Sequence, residues 1–352
     1  MIRSPKLEKT MLSPRADIKR LLIVTDAWQP QVNGVVRTLT QTHESLQALG
    51  MEVHLLTPQS FKTFPCPTYP EIRLSLTTSR KVQALIEVSA PDALHIATEG
   101  PLGWAARRAA LRNNWAFTTA YHSRFPEYVK ARTGVPLSWS YRLFRHFHAP
   151  ASHVMVPTPA IADDLSRRGF KRVVHWSRGV NHDVFWPRPR HNLTDRSNPI
   201  FLCVGRLAIE KNVEAFLKLD LPGQKWVAGV GPVAESLKRK YPDVRYIGVL
   251  PQEELADLYS QADVFVFPSR TDTFGLVMVE AMACGLPVAA YPVAGPIDVV
   301  GNSGAGVLNE DLAQACIACL EVDRAKAVER AAQFTWPNAT SQFLAALVPR
   351  LG

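Results

Sequence analysis

Short apolar runs alternate with longer stretches of helical spacing along nearly the whole chain. In the first half the runs are "LLIVT" (21–25), "EVHLLT" (52–57), "ALHIAT" (93–98), "AFTTAY" (116–121) and "HVMVPT" (153–158). Stretches between them, such as 33–49 and 101–113, carry apolar residues at the period of a helix with one buried stripe. Short, continuously apolar strands separated by helices predict a parallel sheet covered on both faces. The segment "FWPRPRHNLTDRSNP" (185–199), rich in Pro, Arg and Asn, reads as a linker. The alternation then restarts with "PIFLCVG" (199–205), "KWVAGVG" (225–231), "VRYIGV" (244–249), "DVFVFP" (263–268) and "LPVAAY" (286–291). It is a second strand–helix series and not a sequence repeat.

The pattern predicts an α/β protein of two doubly wound halves, 20–185 and 200–334, after an N-terminal extension 1–19 and joined by a linker 186–199. The final segment, 335–352, restarts a helix at Pro337 that packs across one half or the other. Folds of this kind bind ligands in a crevice at the carboxyl ends of their strands, so the space between the halves is the expected site.

A chain of 352 residues can bury two cores, and 47% apolar content without low-complexity segments indicates a folded protein. The opening "MIRSPKLEKTMLSPRADIKR" lacks the apolar centre of a secretory signal. The most apolar stretch, around 275–294, contains Glu280, so no membrane-spanning helix is expected. The five cysteines (Cys66, Cys203, Cys284, Cys316, Cys319) are odd in number and scattered, which predicts reduced thiols in the cytoplasm. "CIAC" (316–319) has redox or metal spacing but falls in a helical pattern without a second pair, and is expected to be core packing. "NLT" (192–194) and "NAT" (338–340) match the glycosylation pattern, which carries no meaning in a cytoplasmic chain.

Charge changes the picture more. Residues 1–190 hold 26 Lys and Arg against 13 Asp and Glu, and residues 191–352 hold 14 against 18, so the halves carry +13 and −4. A basic half implies an anionic partner, for which nucleic acid, acidic lipid or a negatively charged substrate would serve. Segment 124–148, "RFPEYVKARTGVPLSWSYRLFRHFH", interleaves basic and aromatic residues. It suits an interfacial helix on anionic lipid, or an amphipathic helix packed on its own domain.

Three turns look suited to anions. In "QPQVNGVVRTL" (29–39), Gly34 lets backbone approach a phosphate at a helix N-terminus. In "VGRLAIEKN" (204–212), Gly205 ends a strand, and Arg206 and Lys211 place a guanidinium fork and an ammonium across one turn, as a diphosphate requires. "GVGPVA" (229–234) formally satisfies a dinucleotide fingerprint through Gly231, with Pro232 at the first position of a helix. It suits a tight turn against a base or ribose equally well. Last, "SRTDTFGLVMVEAMACG" (269–285) puts Asp272 and Glu280 after a buried strand, either solvated at a helix start or facing a polar ligand. Met278, Val279 and Met282 around them read as core.

Taken together, "VGRLAIEKN", "GVGP", "DVFVFPSRTDTFGLVMVEAMACGLPV" and "RGVNHDVFWP" stand in the order and spacing of glycosyltransferase family 4, which the chain resembles over essentially residues 20–345. "YHSRFPEY" (121–128) is similar to the bacterial glycolipid synthases within it. The resemblance implies a GT-B fold of two Rossmann-like domains facing a cleft, the first for the acceptor and the second for a nucleotide sugar. It implies retaining transfer without a metal or other cofactor. Glu280 then matches the acid that holds the donor ribose. Asp272 stands where the family usually has Glu and grips the transferred sugar, with the backbone N–H groups at Phe274 and Gly275. Arg206 and Lys211 match the diphosphate clamp, and Gly34 the loop that closes over it. His122 matches the histidine at the reacting centre, while Arg178 and Gly179 match the "RGV" before the hinge. Asn181 departs from the usual Asp and receives no role.

The implied catalytic set is His122, Arg206, Lys211 and Asp272. The donor site adds Gly34, Arg178, Gly205, Gly231, Phe274, Gly275 and Glu280. The implied chemistry is electrostatic: the acceptor hydroxyl approaches the face the nucleotide leaves, and the clamp neutralises the departing phosphate. Expected partners are a UDP- or GDP-sugar, a lipid acceptor such as diacylglycerol or a phosphatidylinositol-type lipid (or a glycan), and the inner face of an anionic membrane; nucleic acid is not expected. Alternatives are a sugar-nucleotide epimerase, for which no ring-proton base is placed, and a non-catalytic binder, for which Asp272 is the hint. A dehydrogenase read from "GVGPVA" lacks the acid that should follow about twenty residues on.

Overall fold

Residues buried on both faces dominate the central strands, and this sets the architecture. A computed structural model describes residues 17–31, 33–66, 69–190 and 198–351. Most of the N-terminal extension, and the linker stretch 191–197 with its "NLT", lie outside the described residues. In the first half the strands are β1 (Arg20–Val24), β2 (Glu52–Leu56), β3 (Lys62–Cys66), β4 (Tyr69–Leu76), β5 (Ala93–Ile96), β6 (Thr118–Ala120), β7 (Val154–Val156) and β8 (Val173–His175). In the second they are β9 (Ile200–Val204), β10 (Gln224–Ala228), β11 (Arg245–Gly248), β12 (Val264–Phe267), β13 (Val288–Ala290) and β14 (Gly306–Leu308).

Two parallel sheets result, ordered β2-β1-β5-β6-β7-β8 and β11-β10-β9-β12-β13-β14. Every residue of β5 and β12 is buried, as helices on both faces of a parallel sheet demand. Strand order reverses between β1 and β5 and again between β9 and β12. At such a switch point the loops leaving neighbouring strands diverge to opposite faces and open a crevice. The loops after β1, β9 and β12 carry Gly34, the Arg206–Lys211 turn and Asp272, so topology alone brings them to one edge of each sheet.

All ten apolar runs read from the sequence are strands. The antiparallel pair β3–β4 and the three-residue strands β8 and β14 were not among them. The residues of β8 and β14 are mostly half-buried and those of β3 mostly exposed, so no continuous apolar run marks them. Segment 124–148 is two helices, Phe125–Thr133 and Leu137–His148, and not one. Gly134, at φ 73°, ends the first in the left-handed conformation that a side chain disfavours. Pro232 does not open a helix either, because the helix begins at Ala234.

Among the described residues the five cysteines form no disulfide. Cys316 and Cys319 lie buried with Leu312 and Val264 in one core of the second half, as the helical pattern around "CIAC" predicted. Among the described residues no helix is long and apolar enough to cross a membrane. Thr335 caps the final helix, Trp336–Ala346, which carries the "NAT" and returns to the first half. There Phe343 meets the rings of His95 and Trp176 at 5.0 and 4.8 Å, and Arg350 bonds the Asp92 carbonyl at 2.6 Å. Burying a ring of this size contributes roughly 2–3 kcal/mol.

Candidate active site

The turn after β9 is fixed by backbone packed on backbone. A Cβ on Gly229 would lie 1.9 Å from the Gly205 carbonyl oxygen, and one on Gly231 would lie 2.3 Å from that of Leu207. Leu207 also donates its N–H to the Val230 carbonyl at 2.9 Å. The "GVG" spacing is therefore explained by two adjacent turns in contact, and Gly231 shapes the site by letting them touch. Arg206, half-buried, stands on the supported turn.

Lys211 ends a short 3-10 turn, and the next residue, Asn212, ties it to the tip of β12 through Nδ2 and the Pro268 carbonyl at 3.0 Å. From that tip Asp272 returns to pair with the Lys211 ammonium. Burial alone would lower the Lys211 pKa, but Asp272, with Tyr128 and Glu210 nearby, raises it above its usual value. The ammonium is thus charged at any working pH. The second carboxylate oxygen of Asp272, Oδ2, is buried and has no hydrogen-bond partner.

Four residues on, the chain enters the helix Leu276–Ala283 through Gly275, at φ 84°. A Cβ at Gly275 would meet Met278 Cε at 2.7 Å and Phe267 Cζ at 2.9 Å, so the entry demands glycine. No side chain caps this helix, which leaves its first N–H groups without a side-chain acceptor. Phe274 is buried against Phe334, with ring centroids 5.7 Å apart, and contributes backbone to the loop. Met278, Val279 and Met282 are fully buried, as expected of core. Glu280 is 3% exposed, with one oxygen accepting from the Tyr259 hydroxyl at 3.3 Å and the other paired with Arg37 of the first half.

The first half contributes the opposite wall. Gly34 opens the helix Gly34–Ala48, and a Cβ on it would lie 3.8 Å from Leu276 Cδ1, so two helix N-termini meet across the cleft. The side chain of Asn33 already satisfies the N–H groups of Val35 and Val36. His122 follows β6. Its carbonyl accepts from the Thr273 hydroxyl at 2.6 Å, and its Nδ1 accepts from Arg178 at 3.2 Å. Its Nε2 is shielded and unpartnered. Burial, then the Arg178 charge, hold the ring pKa well below its usual value, so it is neutral.

Arg178 is 4% exposed and also donates to the carbonyls of Trp176 and Ser177. Burial pulls its pKa down to about 9. It acts on the cleft through His122 and also lines a cavity of about 270 Å³ together with Phe274, Asp298 and Thr335. Gly179 is needed because a Cβ there would strike the Trp336 backbone nitrogen at 2.3 Å. Asn181 accepts from the Asp183 N–H at 3.0 Å in a local turn.

Several cleft residues were not read from the sequence. Arg132 reaches Glu210 at 2.9 Å from the other half. Tyr128 has its hydroxyl pKa pushed up to about 12 by burial beside Lys211 and Asp272. Arg37 lies one helical turn beyond Gly34, so the helical period alone would have put it on the same face. Nothing in the sequence pairs Arg132 or Tyr128 with a partner so distant along the chain. Asp26, at the tip of β1, is held near pKa 6 by burial, and it caps the helix Pro101–Arg112 through the N–H groups of Leu102 and Gly103.

Residues 32–184 match the family model of glycosyltransferase family 4, and residues 198–322 that of glycosyl transferases group 1. A GDP-mannose-dependent alpha-mannosyltransferase of Mycobacterium tuberculosis is 30% identical over 318 residues, covering 82% of this chain and 83% of that protein. The alpha-monoglucosyldiacylglycerol synthase of Acholeplasma laidlawii is 26% identical over 319 residues, or 76% and 79% of the two chains. Sucrose-phosphate synthase from Thermosynechococcus elongatus shares the fold at a TM-score of 0.71 and 24% identity, covering 92% of this chain and 97% of its own. With both halves matched and two parallel-sheet domains facing one cleft, the chain belongs to glycosyltransferase family 4 and has the GT-B fold.

Proposed function

We propose that the protein transfers a sugar, with retention, from a UDP- or GDP-sugar to a hydroxyl of a membrane lipid such as a diacylglycerol or phosphatidylinositol-type lipid, without a metal. One observation carries this reading. A carboxylate oxygen of Asp272 and a ring nitrogen of His122 are both shielded and unpartnered in the same cleft, beside a lysine and two helix N-termini. Buried polar atoms are rarely left unsatisfied, so both atoms retain hydrogen-bonding capacity for a polar ligand. A sugar offers hydroxyls to the acid and an acceptor oxygen to the imidazole N–H.

The chemistry follows from charge. In the proposed complex the diphosphate lies across Arg206 and Lys211, Asp272 and the N–H groups at Phe274 and Gly275 take the hydroxyls of the transferred sugar, and Glu280 takes those of the ribose. As the bond to the anomeric carbon breaks, negative charge grows on the leaving phosphate, where fixed cations stabilise the transition state more than the ground state. The acceptor hydroxyl enters on the same face and gives its proton to that phosphate. His122, kept neutral, donates to the sugar and does not act as a base. The clamp supplies the neutralisation that a divalent ion provides elsewhere.

The lipid acceptor and a peripheral place on the membrane are supported by the helix Leu137–His148. It exposes Trp139 (74%) and Leu143 (53%), four residues apart on one face, beside exposed Arg142 and Arg145. Apolar anchors among basic side chains are the composition of a helix lying in a lipid interface. The relative from Acholeplasma, by its name, makes a diacylglycerol glycolipid.

The test is to incubate the full chain with a panel of nucleotide sugars, with and without lipid extract, and to follow nucleotide release. Release that depends on the lipid supports the reading. Interconversion of sugars without acceptor would indicate an epimerase, and binding without turnover a non-catalytic protein.

A further inference from the structure

Each acid of the cleft is already paired with a cation. Lys211 holds Asp272, and Arg37 of the other half holds Glu280. The Glu280 side chain is only 4% exposed, against 33% for that of Arg37, and both its oxygens are engaged, one by Arg37 and one by the Tyr259 hydroxyl. Glu280 raises the Arg37 pKa above its usual value. A ligand hydroxyl that is to use Glu280 must therefore displace a charged guanidinium. Stranding that cation would be costly unless the same ligand offered it an anion.

Arg37 cannot go far. It is rooted one turn into the helix that opens at Gly34, and that helix start abuts Leu276 at the start of the helix bearing Glu280. Rotation about its own side-chain bonds therefore keeps its guanidinium near the two helix starts. We propose that Arg37 is a third cation of the donor site, contributed by the first domain. It rests on Glu280 when the cleft is empty and moves to the diphosphate when the ribose hydroxyls take the carboxylate. This inference rests on the donor-site reading given above. It makes binding an exchange of partners, hydroxyls to the acids and phosphates to the cations, and it couples the two domains through the ligand.

The exchange gives Arg37 opposite effects on two ligands. Toward a diphosphate it is an attractive charge, and toward a bare nucleoside it is a competitor for Glu280. The experiment titrates the full-length wild type, Arg37→Gln and Arg37→Lys with UDP, GDP, uridine and guanosine, using ligand-observed NMR to reach millimolar affinities. In Arg37→Gln, the diphosphate that wild type binds should weaken at least about tenfold, while its nucleoside holds or tightens. Arg37→Lys should recover most of the diphosphate affinity. If diphosphate and nucleoside weaken together, or neither moves, Arg37 is a structural tie and the inference is overturned. If wild type binds neither UDP nor GDP, the donor-site reading itself fails and takes the inference with it.

Discussion

The guanidinium of Arg178 donates to Nδ1 of His122 at 3.2 Å. Arginine carries no acceptor, so the Nδ1 lone pair must face it and the proton of the neutral ring must sit on Nε2, the atom left without a partner. The pair fixes the tautomer that donates into the cleft. Arg178→Met releases that restraint and removes its charge, so the ring pKa rises toward the ordinary histidine range, while burial, the larger cause, still holds it below. Turnover should fall about tenfold at pH 8 and acquire an acid limb at a higher pH than in wild type. Wild type should show no such limb between pH 6 and 8. Identical profiles for the two proteins would show that Arg178 does not control His122.

Lys211→Ala should lower turnover at least about a hundredfold, the usual effect of removing a fixed group that stabilises transition-state charge, and Glu280→Gln should weaken donor binding through its lost ribose contact. Lys211→Ala also leaves the half-buried Asp272 without its counter-ion. Its melting temperature should fall, and the double variant Lys211→Ala/Asp272→Asn should regain that stability without regaining turnover. Recovery of both together would mean that the pair only supports the fold.

Acid should destabilise the protein from about pH 6.5 downward. Burial, with Arg178 adding to it, lowers the His95 pKa to about 3 and keeps that of His122 well below the usual value. The unfolded chain takes up protons at both rings near pH 6.5, while the folded chain refuses them. Stability is therefore whole above that pH and is lost below it, at roughly 1.4 kcal/mol per pH unit for each ring. Asp26 opposes this between pH 6 and its ordinary 3.8, because its raised pKa lets the folded state hold a proton more tightly. His175 and His182, also lowered by burial, act in the same sense as those two rings, so the balance is destabilising. Denaturant midpoints between pH 8 and 5 check the sign, and a midpoint that rose on acidification would refute it.

Sedimentation with phosphatidylglycerol vesicles tests the exposed helix face. Wild type should bind them, and rising salt should weaken the attraction, since ions screen surface charge over about 10 Å at 0.1 M. Trp139→Glu with Leu143→Glu should abolish vesicle binding while nucleotide affinity is unchanged. Indifference to lipid charge would remove the membrane from the proposal.

Much of the fold was legible because parallel strands buried on both faces write themselves as unbroken apolar runs, as in "LLIVT" and "DVFVFP". The strands at Val173 and Gly306 were not, since three half-buried residues leave no such run. Asp272, Glu280 and Lys211 could be singled out because each lies in a local turn or helix start whose spacing is informative. Arg132, Tyr128 and Thr273 reach their partners only when the two domains face each other, and separations such as that between Thr273 and His122 leave no local trace. Arg178 was noticed for its motif, but its place behind the imidazole depends on burial, which only the fold supplies.

The return of the helix Trp336–Ala346 to the first domain also sets an order of events at the ribosome. Phe343, fully buried between His95 and Trp176, closes a surface made more than 150 residues earlier. Phe343→Ala should cost about 3–5 kcal/mol, felt in the first domain's melting rather than the second's. During synthesis the second domain can finish while the first still exposes that apolar seat, so the part of the enzyme made first is the part completed last.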